Sequence, residues 1–174
     1  MYAGMRLPQQ KRQDGFSMLE VLIAILVISF GLLGLAGLQA VGLKSNQTAY
    51  LRSIATQQAY DMADRMRANM TGVGAGSYNS IATGVGSDPS CISTGCDSSQ
   101  MAQYDRFAWN TANAALLPGG SGSVYRANAD CATLNAASNR FCVRVSWSEK
   151  CTTGETGCAT NGTISRNFDV WVAP

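Results

Sequence analysis

Three hydrophobic rhythms succeed one another along the chain. No charge occurs between Glu20 and Lys44. The run from Gly15 to Leu43, GFSMLEVLIAILVISFGLLGLAGLQAVGL, therefore predicts a helical rod: at 1.5 Å per residue its uncharged part spans about 35 Å, enough for a hydrocarbon core of about 30 Å. Beyond it the apolar positions thin to a stripe, Leu51, Ala55, Ala59, Met62, Met66 and Met70, spaced three or four apart as on one face of a continuing helix. Methionines in such a stripe read as fillers of an irregular core. The third rhythm is alternation. Ser123 to Arg126, Phe141 to Ser148 and Ile164 to Val172 place β-branched or aromatic residues at every second position, with Val143, Val145 and Trp147 on one face and Phe168, Val170 and Val172 on another.

Punctuation between these stretches sets the expected boundaries. Gly72, Gly74 and Gly76 are expected to end the long helix near Met70, and Asp61 and Arg65 stand at i, i+4 for pairing on its polar face. Residues 71–104, rich in Gly, Ser, Thr and Asn, read as a long irregular connection. A short helix is expected from Tyr104 to Leu117, stopped by Pro118-Gly119-Gly120, and a turn containing CTTGETGC and Asn161-Gly162 joins the last two strands. Burying both the helical stripe and the strand faces calls for an antiparallel sheet laid over the carboxyl half of the helix, an α+β arrangement. Gly31, Gly34, Gly37 and Gly42 each weaken the apolar rod by about 1 kcal/mol relative to alanine. Small residues also let membrane helices approach closely, and both readings stay open.

Charge orients the rod. Arg6, Lys11 and Arg12 precede it, so the positive-inside bias leaves the amino terminus in the cytoplasm and exports the chain beyond Lys44. These three residues, set against Asp14, account for the formal +2, and the rest of the chain is balanced. No basic stripe for nucleic acid is visible. All six cysteines lie beyond residue 90, which suits an oxidising periplasm, and an even number reads as a disulfide set. Six cysteines allow fifteen pairings. Short loops close most readily, which favours Cys91 with Cys96, Cys131 with Cys142, and Cys151 with Cys158.

The chain has no histidine, hence no Ser-His or Cys-His pair, and its acids beyond Glu20 are scattered, Asp61 and Asp64 on a helix surface. No catalytic residues, metal ligands or cofactor-binding residues are assigned. The triplets at Asn46, Asn69 and Asn161 that match a glycosylation pattern read as chance in so Asn- and Thr-rich a chain.

An ordinary secretory signal places its apolar region before the cut. Here a polar leader comes first, then Gly15, Phe16, Glu20 and the apolar run. That order resembles the type III signal of type IV pilins and of type II secretion pseudopilins. The resemblance implies cleavage by prepilin peptidase between Gly15 and Phe16 and methylation of the new amino terminus at Phe16. It also makes Glu20 the acidic residue of the motif. Independently of any family, a carboxylate at the edge of an apolar span is unfavourable without a cation, by about 2.5–3.5 kcal/mol at the bilayer centre and less near its edge. The amine created at Phe16 lies one helical turn away and can meet Glu20 within one subunit or between neighbours. The alternative is a carboxylate snorkelling into the headgroups, favoured by the helix dipole.

Further on, GLLGLAGLQ, AYLRSIATQQAYDMADRMRAN, LPGGSGSV and FCVRVSW resemble the PilV family of minor pilins. The fold implied is the type IV pilin fold. Residues 1–15 form a cleaved leader, 16–70 a long helix with its membrane span over about 18–43, and 71–174 a periplasmic head. The implied function is a low-abundance subunit that primes or caps the pilus, supporting twitching motility. Its implied partners are other minor and major pilins, prepilin peptidase, the inner membrane and a tip adhesin, with no nucleic acid. A type II secretion pseudopilin and an adhesive or DNA-binding minor pilin share the same signal and remain rivals.

Overall fold

The computed structural model describes residues 15–128, 131–151 and 154–174. Expectations that fall on the leader, including those for Arg6, Lys11, Arg12 and Asp14, lie outside the described residues. The described residues divide into two compact units, one up to Ser45 and one from Asn46 on, and helix α1, Met18–Ala68, contributes to both.

In the first unit α1 is continuous through Gly31, Gly34, Gly37 and Gly42, and none of its residues is buried. A hydrogen bond from the Ser29 hydroxyl to the Ile25 carbonyl, 2.7 Å, satisfies one of its few polar groups within the helix itself. By length and composition this helix is suited to cross a membrane.

The second unit is an α+β fold. Its elements after α1 are α2 (Met70–Gly74), β1 (Ser80–Ile81), α3 (Cys91–Thr94), α4 (Ser98–Leu116), β2 (Ser121–Arg126), β3 (Phe141–Lys150) and β4 (Thr163–Val172). The strands form one antiparallel sheet in the order β1-β2-β3-β4. Register aligns Val124 with Val143 and Val143 with Val170, and aligns Val145 with Phe168, so the inward positions of three strands form one apolar face. The stripe Leu51, Ala55, Ala59, Met62, Ala63 and Met66 of α1 joins that face in a single core with Tyr78, Trp109 and Leu117.

Several boundaries differ from those the sequence suggests. The long helix is interrupted at Asn69, not at the glycines: the Asn69 side chain accepts from the Gly72 N–H and starts α2, which runs on through Gly72 and Gly74. Met70 falls beyond that interruption and is exposed instead of extending the buried stripe. The stretch 71–104 is not irregular throughout, since it holds α2, β1, α3 and the start of α4. Helix α4 begins six residues before Tyr104 because Asp97 and Gln100 form a reciprocal capping box. Strand β2 starts at Ser121 and β3 runs to Lys150.

Two glycines after α4 are set by close approach. A Cβ on Gly120 would lie 2.0 Å from the Asn113 carbonyl oxygen, and one on Gly122 would lie 2.2 Å from the Trp109 ring. The bare backbone at Gly122 lets the indole lie fully buried, with its N–H donating to the Gln58 carbonyl of α1 at 2.8 Å. Disulfides Cys91–Cys96, Cys131–Cys142 and Cys151–Cys158 close three short loops, the same three that loop length favours.

Candidate processing and assembly site

Where α1 begins is decided by Ser17. Its carbonyl accepts from the N–H groups of Glu20 (3.1 Å) and Val21 (3.3 Å), and its hydroxyl accepts from the Glu20 N–H at 3.3 Å. These are the bonds of an N-cap serine, and Ser17-x-x-Glu20 has the spacing of a capping box. Gly15 and Phe16 precede the helix. Phe16 is 84% exposed, and a Cβ placed on Gly15 would meet nothing within 4 Å. Among the described residues, nothing crowds the segment around the expected cut.

Glu20 lies in the first turn of α1, exposed, and is the only charged residue between Gly15 and Leu43. Among the described residues its carboxylate forms no ion pair. In the uncut chain the Phe16 nitrogen is an amide, which carries no charge to meet it. The structure thus brings Gly15, Phe16 and Glu20 into one short segment at the start of an exposed apolar helix. Ser17 was not among the residues the sequence pattern singled out, although S-x-x-E ahead of an apolar run is its signal.

In the second unit a different polar group ties helices together. Arg65 Nε donates to Asp61 Oδ2 at 2.8 Å, the i, i+4 pair, and Arg65 Nη1 reaches Asp105 Oδ1 of α4 at 3.3 Å. The Tyr78 hydroxyl donates to Asp105 Oδ2, and Asn69 Nδ2 donates to the Tyr78 oxygen at 3.1 Å and to the Ser98 carbonyl at 2.7 Å. Burial, together with the bond to Asp105, pushes the Tyr78 phenol well above its ordinary range. Burial works against the Arg65 charge, yet the bonds to Asp61 and Asp105 outweigh it and raise its pKa. Asp105 is only 5% exposed. It falls on the buried side of α4 with Ala102 and Trp109, so an acid at core spacing was the available signal. Asp64, by contrast, stays on the helix surface and pairs with Arg67 at 2.7 Å.

Across the sheet, Arg144 makes a two-point bond to Asp169 at 2.7 and 2.8 Å, which raises the Arg144 pKa despite partial burial. These groups are engaged with one another and hold the fold. Among the described residues no cluster of three or more His, Cys, Asp or Glu is arranged to bind a metal ion.

Comparison with known families now adds to this geometry. Residues 10–36 match the family model described as a prokaryotic N-terminal methylation motif, and residues 37–107 match the model described as type IV pilin Tt1218. Neither a curated protein nor a solved structure matches the chain. The two models, adjoining along the chain, support a type IV pilin with a methylation motif, and the long apolar helix ahead of a small four-stranded antiparallel sheet is consistent with the type IV pilin fold. Such pilins are structural subunits and not enzymes. Membrane anchoring and assembly into a pilus go with that class.

Proposed function

We propose that this chain is a minor pilin of the PilV type, a subunit that helps prime or cap a type IV pilus together with other minor pilins. The observation that carries the pilin reading is the amino-terminal segment: an exposed Gly15-Phe16 stretch, an acid at Glu20, and an apolar run in the first part of α1 with no buried residue. The narrower assignment rests on the PilV-like stretches, GLLGLAGLQ and AYLRSIATQQAYDMADRMRAN foremost. Leader removal is a hydrolysis in which water adds across the Gly15–Phe16 peptide, leaving a carboxylate on Gly15 and an amine on Phe16. That amine, still cationic after one methylation, pairs with Glu20 in the same subunit or the next as helices pack in the bilayer. Residues 1–15 form the cleaved leader, residues 16–70 the assembly segment, helical as α1 over Met18–Ala68, and residues 71–174 a periplasmic head. The amino terminus faces the cytoplasm, the partners are major and minor pilins and a tip adhesin, and the finished subunit sits at the tip of the filament.

Deletion of the protein tests this directly. Loss of surface pili and twitching, with secretion of extracellular enzymes intact, is expected. Intact pili with lost enzyme secretion would assign the protein to type II secretion instead.

A further inference from the structure

We propose that Ser17 is a positioning residue for leader removal, its side chain fixing where the helix starts so that the Gly15–Phe16 bond is presented as open backbone. This rests on the processing reading and gives a role to Ser17, a residue that the assignments of Gly15, Phe16 and Glu20 leave unused. A protease must reach the carbonyl carbon of the bond it cuts, and a carbonyl held in an α-helical ladder is shielded by the next turn. In this chain the ladder starts at the Ser17 carbonyl, which accepts from Glu20 and Val21. Among the described residues neither the Gly15 nor the Phe16 carbonyl accepts a helical bond. The hydroxyl of Ser17 fastens that start by accepting, at 3.3 Å, from the same Glu20 N–H that the Ser17 carbonyl holds at 3.1 Å.

Ser17 also accounts for part of the Glu20 position. With Ser17 as the cap, Glu20 is the third helical residue, where an acid is favoured by the helix dipole whatever it later meets. Its backbone N–H is engaged by Ser17, while its carboxylate makes no ion pair among the described residues and stays available for the amine that cleavage releases. Removing the hydroxyl leaves position 17 without a capping oxygen and makes Gly15 the better remaining cap, so the start of the helix can shift toward the Gly15–Phe16 bond.

The test uses the full-length precursor, inserted in membranes and presented to prepilin peptidase, with Ser17→Ala, Ser17→Val, Ser17→Thr and Ser17→Asn compared at equal insertion. Threonine and asparagine keep a capping oxygen, whereas valine has the shape of threonine without one. Ser17→Ala and Ser17→Val should lower kcat/KM for cleavage roughly fivefold, about 1 kcal/mol through RT ln 5. Ser17→Thr and Ser17→Asn should stay within about twofold of the parent. Hydrogen exchange at the Glu20 amide in micelles should quicken in the first pair alone. Cleavage of Ser17→Val as fast as Ser17→Thr overturns the proposal, and so does an equal loss in all four, which would make the peptidase's recognition of serine itself the cause. A parent chain never cut after Gly15 overturns the processing reading and this proposal with it, while the exchange measurement still reports separately on the cap.

Discussion

Leu33 and Met62 lie on the same helix, yet Leu33 is 70% exposed and Met62 is fully buried. Residues 18–45 of α1 present an almost wholly apolar surface on which no residue is buried, whereas residues 46–68 are apolar on one stripe that enters a core with the sheet and α4. An all-round apolar helix without internal partners has its surroundings specified from outside the monomer, by lipid or by other helices. A one-sided helix has them specified from within. Substitutions in the two halves should therefore be read by different assays, folding for the second and assembly for the first.

The largest contrast in stability should come from paired truncations. Trp109→Ala removes a fully buried indole and its bond to the Gln58 carbonyl, and should destabilise the head by about 3–5 kcal/mol in denaturant unfolding of the full chain in detergent. Leu33→Ala should leave the same transition in place, within about 0.5 kcal/mol. A large effect from Leu33→Ala on head unfolding would break the division between the halves.

Next comes the disulfide at the small satellite cluster of Ala127, Cys131 and Cys142. Replacing both Cys131 and Cys142 by serine opens a loop of sequence separation 11 and should cost about 3 kcal/mol in the chain-entropy account. The measurement is the shift in unfolding midpoint, with non-reducing peptide mapping to verify that the other two bridges remain.

The α1–α4 polar group should rank third. Asp105→Asn removes the carboxylate shared by Arg65 and Tyr78 and should cost about 2 kcal/mol, because Arg65 is only partly buried and can recover some solvation. Tyr78 adds a pH dependence of known sign. Its pKa is raised in the folded protein, so its contribution is complete below the ordinary phenol range, near pH 10, and is lost as pH rises above it. Stability measured from pH 9 upward should decline less steeply in Tyr78→Phe than in the parent. The slope should flatten without vanishing, since burial also raises Tyr125.

These contrasts also bear on what a sequence can and cannot disclose here. The apolar run, the Leu51–Met66 stripe and the alternation of Phe141–Ser148 were legible because each repeats one period over enough residues to exclude the others. The end of α1 was not. Three glycines looked like the stop, but a single asparagine side chain reaching Gly72, Tyr78 and Ser98 made it earlier. Asp97-Ser98-Ser99-Gln100 held a capping box inside a stretch whose composition reads as loop, and β1 is two residues long and exists through its pairing with Tyr125 and Val124. At the amino terminus Gly15, Phe16 and Glu20 were legible as a motif. Ser17 was less legible: S-x-x-E ahead of an apolar run is the spacing of a cap, but the bond from the Glu20 N–H to its hydroxyl is visible only once the helix start is placed.

The central claim is that the first half of α1 acts in assembly, through Glu20. The most direct test is the amount of this subunit in sheared pilus fractions for Glu20→Gln and Glu20→Ala against the parent, at matched membrane levels and with cleavage after Gly15 verified by mass spectrometry. Glutamine keeps the shape and removes the charge, so both variants should be cleaved and inserted yet largely missing from pili, while Glu20→Asp should be milder. Normal incorporation of the alanine and glutamine variants would contradict the account and leave Glu20 as no more than part of the cleavage signal.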